Sequence, residues 1–183
     1  MFKLGTAPSY LCRKGRRALS IGEAIRNYRV SSNMTQQQFA NRLSMDRSVL
    51  GRIERGEREL DASYDTIVSG LNWRIALEIA DQRTDGYISN ILEHLPNLDL
   101  HPAALKDLLL RELSELEAAL EGLVLAKHID PEKRRKSAER VWHEIRDVLE
   151  KASVLQGVLE EEFGLNRKSL IQKHELEIKK GER

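Results

Sequence analysis

The sequence predicts a mainly α-helical chain that ends in an antiparallel helical hairpin, and three patterns predict it. Residues 35–56 hold two short helix patterns joined by a turn, each opened by a capping residue and the second closed by glycine. Residues 109–123 and 138–159 carry apolar side chains stepping by three and four, the spacing of one helix face. Between these regions the run LNWRIALEIAD alternates apolar with polar residues, so one short β-strand is expected inside the helical frame.

The first helix opens at Ser20, with Glu23 three residues on as a capping box, and Ile21, Ala24, Ile25 and Tyr28 recur at helical spacing. The second opens at Thr35 with Gln38, and Met34 is placed to staple onto Phe39. In the third, Asp46 is the cap, Met45 can pack on Leu50, and Gly56 stands where a left-handed residue ends the helix. Val49, Leu50 and Ile53 face inward there, while Ser48, Gly51, Arg52 and Arg55 share the opposite face. An outward face of arginines, a hydroxyl and a glycine is unlike an ordinary mixed-charge surface. Glycine at an exposed helix position costs roughly 1 kcal/mol against alanine, so Gly51 suggests a backbone that something approaches closely. A fourth helix begins near Ser63 and carries Tyr64, Ile67, Val68 and Leu71.

In the alternating run, Trp73, Ile75, Leu77 and Ile79 lie on one side of a strand over 72–86, closed by Asp81, Arg83, Thr84, Asp85 and Gly86. A lone strand leaves backbone groups unpaired, so it would dimerise with a second copy. The alternative is a fifth helix, because Leu71, Ile75 and Ile79 also line up four apart, as do Trp73 and Leu77. From Pro102 the chain reads as helical, with Leu109, Leu113, Leu116, Leu120 and Leu123 in a stripe. Asp130 caps the next helix with Pro131 at its first position. Ala138, Val141, Ile145, Val148, Ala152, Leu155 and Leu159 form its stripe, which Trp142 and Leu149 widen towards at least three helices in contact. This hairpin, within a C-terminal region 87–183, would close on itself, on a second copy or on a different protein. Gly164 stops the second long helix, and residues 166–183 form a short helix or a frayed tail.

Composition bounds the function classes. The chain has 183 residues, 40% hydrophobic, enough for one large or two small domains. No apolar run reaches membrane-spanning length and the start lacks a secretory signal, so a cytoplasmic protein is expected. Cys12 is the single cysteine, so no intrachain disulfide forms, and the five histidines, His94, His101, His128, His143 and His174, lack metal-ligand spacing. No catalytic motif stands out, and neither an enzyme activity, a metal nor a cofactor is expected. Residues 1–60 balance to +7 and residues 61–183 to −6, a basic head on an acidic body. Residues 1–19, with Lys3, Arg13, Lys14, Arg16 and Arg17 and no acid, read as a solvated basic terminus or as an arm along DNA.

Thr35, Gln36 and Gln37 at the second helix opening, Ala40 at the crossing, and the closing run from Arg52 to Gly56 together resemble the lambda-repressor-like helix-turn-helix family, of XRE or Cro type. The resemblance covers about residues 20 to 70 and implies a bundle of four or five helices, taken as a DNA-binding domain over 20–71. It implies base contacts from Arg47, Ser48 and Arg52, joined here by Gly51, and a phosphate contact from Gln36, to which Gln37, Arg55 and Arg58 are added as candidates. It also implies that Glu54 faces inward and pairs with Arg29. Ser44 departs from the pattern, because the family has glycine at that helix stop and a left-handed serine costs of order 1 kcal/mol. A strand after the bundle would be similar to the HipB-like antitoxins. The function expected is a sequence-specific, homodimeric repressor on a palindromic double-stranded operator. The alternative is an antitoxin whose C-terminal helices bind and neutralise a partner protein.

Overall fold

The structure is a computed structural model that describes residues 20–181, so the basic segment 1–19 with Cys12, like residues 182–183, lies outside the described residues. Five helices build the head: α1 (Ile21–Ser31), α2 (Gln36–Arg42), α3 (Arg47–Glu54), α4 (Asp65–Ser69) and α5 (Trp73–Arg83). Their ends are where local chemistry writes them. Ser20 accepts from the Glu23 amide, Thr35 and Gln38 cap each other reciprocally, and Asp46 accepts from the Ser48 amide. Ser44 takes the left-handed conformation at φ 52° and Gly56 takes it at φ 72°, as their places in the sequence require.

The head core is Ile25, Phe39, Leu50, Val68 and Ile75, all fully buried, with Met34 and Met45 packed against it as the staples anticipate. Ile67 is half exposed instead of joining its helix's inner stripe. Gly22 marks the tightest crossing, because a Cβ there would lie 1.9 Å from the Ile53 carbonyl oxygen. Only glycine lets α1 pass so near the α3 backbone.

The expected strand over 72–86 is not there: residues Trp73–Arg83 are helix α5, capped by Asn72, and no strand occurs among the described residues. The reason lies in what flanks it. At about 100° per residue, Trp73 and Leu77 share one side of a helix, and Ile75 and Ile79 the opposite side. Ile75 and Ile79 enter the head core, while Trp73 and Leu77 enter a second core with Ile91, Leu105, Val154 and Val158. A helix apolar on both sides mimics alternation. Dimerisation by strand pairing falls with the strand.

After α5 the chain crosses a segment with one 3-10 turn (Ile91–Glu93) and enters the hairpin, α6 (Pro102–Glu121) and α7 (Pro131–Glu162). Asp130 and Pro131 start α7 as expected, Gly164 ends it at φ 61°, and the tail forms α8 (Arg167–Lys180). The antiparallel pairing holds, but the seam follows the expected stripes only in part: Leu109, Leu116, Leu123, Val148 and Leu155 are half-buried and Val141 is buried. Leu105, Glu112 and Ala119 are the buried residues of α6, seven apart, whereas Leu113 and Leu120 remain exposed; on α7 Ile145 is likewise exposed and Lys151 buried. Lys151 and Asp147 form an ion pair, and the Lys151 ammonium stands 4.0 Å from the Glu112 carboxylate, so buried charge is compensated across the seam.

Head and hairpin meet through Trp73. Its ring lies against Gly157 of α7, where a Cβ would sit 2.1 Å from the indole. Around it Asn72 donates to Glu161 at 3.2 Å, Arg74 faces Glu161 at 3.6 Å, and Arg167 donates to the Ser69 carbonyl at 2.9 Å.

Candidate nucleic-acid interface

The outward face of α3 is set by its inward one. Leu50 and Ile53 are buried in the head core, and the helix rotation this fixes turns Arg47, Ser48 and Arg52 to solvent. Its first turn is held by Asp46, whose carboxylate lies below its ordinary range because the Ser48 hydroxyl and amide hydrogen-bond to it. The Ser48 amide donates to Asp46 at 2.6 Å.

Beneath this face lies a knot of three side chains. Arg29 of α1 forms two hydrogen bonds to Glu54, at 2.6 and 2.9 Å, and Gln36 of α2 donates to the same carboxylate at 2.8 Å. Arg29 also donates to the Met34 carbonyl at 2.8 Å, closing the α1–α2 turn. Burial pushes the Glu54 carboxyl up, but the hydrogen bonds from Arg29 and Gln36 pull it further down, leaving it below its ordinary range. The hydrogen bond to Glu54 raises the Arg29 guanidinium. One carboxylate thus ties three helices together.

Gln36, Arg47, Ser48, Gly51, Arg52 and Arg55 line one open depression. Gly51 departs from the expected exposed backbone: it is buried, and a Cβ there would lie 3.3 Å from the Arg55 guanidinium and 3.8 Å from the Gln36 amide. What approaches it closely is the chain's own Gln36 and Arg55. Two of the remaining candidates sit apart from this depression. Gln37 is exposed and donates to Asn41 at 2.8 Å. Arg58 lines a different hollow with Ser20, Gly22 and Arg83. Arg55 is exposed and paired with Glu57 at 2.6 Å. Among the described residues, neither Arg47 nor Arg52 enters an ion pair.

A capped short helix, a turn with a left-handed residue and a second capped helix with basic outward residues describe a helix-turn-helix. The comparison with family models agrees, matching the model described as Helix-turn-helix to residues 25–64. Residues 25–64 are a lambda-repressor-like, XRE-type helix-turn-helix. Helix-turn-helix domains of this type belong to DNA-binding transcription regulators. No curated protein and no solved structure matches the chain. No described helix is long and apolar enough to cross a membrane.

Two features of the helix-turn-helix escaped the sequence. Gly22 could have been found only by knowing that α1 crosses α3. Gln36, at the opening of a helix, reads as an exposed phosphate ligand, yet its amide is bound to Glu54.

Proposed function

We propose that this chain is a sequence-specific, homodimeric repressor that reads a palindromic operator in the cytoplasm through the major groove. The observation that carries it is the depression on α3, where Arg47 and Arg52 stand exposed beside Ser48 and neither is held in an ion pair. A guanidinium in that state can give two hydrogen bonds to O6 and N7 of guanine, so guanine-containing half-sites are favoured. Arg55 within the depression, and Gln37 and Arg58 apart from it, supply phosphate contacts, with Arg55 exchanging Glu57 for a phosphate. Gln36 contributes from the first turn of α2 while its side chain braces Glu54. Gly51 keeps the floor of the depression low enough for those side chains to lie over it.

The test is footprinting on the DNA upstream of the protein's own gene, followed by Arg52→Ala. That variant should lose about 1 to 3 kcal/mol on the best site and relax preference at one base pair in each half. Unchanged preference would mean that α3 does not enter the groove in this orientation.

A second reading draws on the C-terminal helices, where Trp142, Leu149 and Leu113 are left exposed. Apolar side chains in such number mark a protein-binding surface, as an antitoxin that neutralises a partner protein would need. Co-expression with the product of an adjacent gene would test it. A stable complex that silences that product's activity favours the antitoxin.

A further inference from the structure

We infer that the hollow where α1, α2 and the end of α3 meet binds one DNA backbone phosphate between Arg26 and Arg55, with Arg26 as the ligand that α1 supplies. This rests on the DNA-reading function proposed above and names where the first helix grips the duplex.

Arg26, Arg29, Gln36, Glu54 and Arg55 line a hollow of about 320 Å³, so three guanidiniums face one carboxylate. That carboxylate is already satisfied. Arg29 gives Glu54 two hydrogen bonds and Gln36 gives it a third, which makes the floor of the hollow a fixed and nearly neutral pair. Arg26 and Arg55, by contrast, are exposed. Arg26 stands three residues before Arg29, and residues so spaced are neighbours on one helix face, which sets Arg26 beside the same floor. Among the described residues it is held in no ion pair; its charge acts on Glu54 through space and helps to hold that carboxyl low. Arg55 pairs with Glu57, but with both side chains more than half exposed that pair is worth little and opens at small cost. The hollow therefore presents an excess of positive charge to solvent, and an anion neutralises it.

What lies next to the hollow makes that anion a phosphodiester. Gln36 and Arg55 line both this hollow and the depression on α3 that holds Arg47, Ser48 and Arg52, so the two are contiguous. A duplex that presents base edges to Arg47 and Arg52 brings its own backbone to the neighbouring hollow. A guanidinium suits that ligand, because its planar fork gives two parallel hydrogen bonds to phosphate oxygens. Such contacts carry no sequence information, but they fix register and orientation. The buried floor gives this one its value. Because Glu54 ties α1 to α3, the span from Arg26 to the base-reading arginines is held by a buried contact and not by a loop. A phosphate gripped by Arg26 thus sets how α3 lies against the bases.

The test measures binding of the full chain, over a range of salt concentrations, to the site found by footprinting and to an unrelated duplex of the same length. Arg26→Ala should weaken both alike, roughly tenfold at low salt, the scale of one charge-assisted hydrogen bond. It should also lower the slope of log affinity against log salt by about 0.9, the share of one phosphate. Arg26→Lys keeps the charge and should keep the slope. Arg42→Ala removes an exposed arginine that lines neither the hollow nor the depression, and should leave the slope unchanged. A methylphosphonate, which removes one backbone charge, is then moved through the half-site. At one position the parent should lose affinity and Arg26→Ala should lose none further, as for two groups in direct contact. Arg26 is exposed, so circular dichroism should show the variant's helices intact. A parental slope in Arg26→Ala, an equal drop in Arg42→Ala, a changed base preference, or losses that add at every position each overturn the inference and leave the reading by Arg47 and Arg52 standing. A parent that binds neither duplex at low salt overturns the DNA-reading function, and the inference with it.

Discussion

At the scale of single residues, the candidate interface on α3 depends on a buried carboxylate beneath it. Glu54 is almost wholly buried and receives hydrogen bonds from α1 through Arg29 and from α2 through Gln36. Removing it strands a guanidinium that is itself mostly buried. Glu54→Ala should therefore lower the stability of the helix-turn-helix by about 3 kcal/mol, more than the intact pair contributes. Arg55→Ala, on an exposed pair with Glu57, should change it by less than about 1 kcal/mol. Thermal melts of the three proteins check this, and equal melting temperatures for parent and Glu54→Ala would remove the knot from the account. The depressed Glu54 carboxyl also gives a pH sign. Its contribution is present above its ordinary value of 4.5 and is lost as pH falls through the lower folded value, so acid should loosen the head. Gln36 shows how far the sequence reaches here: its place at a helix opening is local information, but the carboxylate that holds its amide lies eighteen residues away.

At the scale of elements, the caps were legible and α5 was not, for one reason. A cap is decided by neighbours three residues apart, so Thr35, Asp46 and Asp130 announce helix starts without knowledge of the fold. α5 is decided by two cores, and its apolar residues on opposite sides satisfy a strand's period as well as a helix's. The hairpin seam was legible only in part, for a similar reason: the leucine stripe marks an apolar surface broader than the seam, and which part of it packs depends on the partner helix. α5 also carries a charge that sequence reasoning placed on no interior surface. Glu78 is buried, accepts from Gln82 at 2.5 Å and from Asn90 at 3.0 Å, and hydrogen-bonds with Glu93, while Asp81 accepts from the Asn90 amide at 2.8 Å. Burial pushes the Glu78 carboxyl up and the Asp81 charge adds to it, outweighing the hydrogen bonds. Its sign is opposite to that of Glu54. A raised carboxyl holds its proton in the fold, so the stability it lends is present below 4.5 and is lost as pH rises through the folded value. Melting temperature should fall with pH across that range in the parent, and Glu78→Gln should flatten the fall. An unchanged slope would assign it to another group.

At the scale of the molecule, the junction between head and hairpin decides whether, in the dimer proposed above, two DNA readers would act as one. A dimer fixes half-site spacing only if each head is rigid on its hairpin, and the seat of Trp73 on Gly157 is the tightest point of that junction. Two effects oppose each other when Gly157 is replaced by alanine. Alanine favours the helix by about 1 kcal/mol. Its methyl group, however, would lie 2.1 Å from the indole, and forcing extra volume into a packed site costs about 1 to 3 kcal/mol. The collision should win, so Gly157→Ala should lower the melting temperature. The variant should also bind operators whose half-sites are moved apart by a few base pairs better than the parent does, relative to the natural spacing. In a Trp73→Ala background the obstacle is gone, and the same substitution should instead stabilise by about 1 kcal/mol. That reversal of sign, read from four melts in a double-mutant cycle, separates a strained seat from a general defect in α7. If Gly157→Ala stabilises the chain with Trp73 present, the head is not locked to the hairpin at this point, and operator spacing must be set elsewhere.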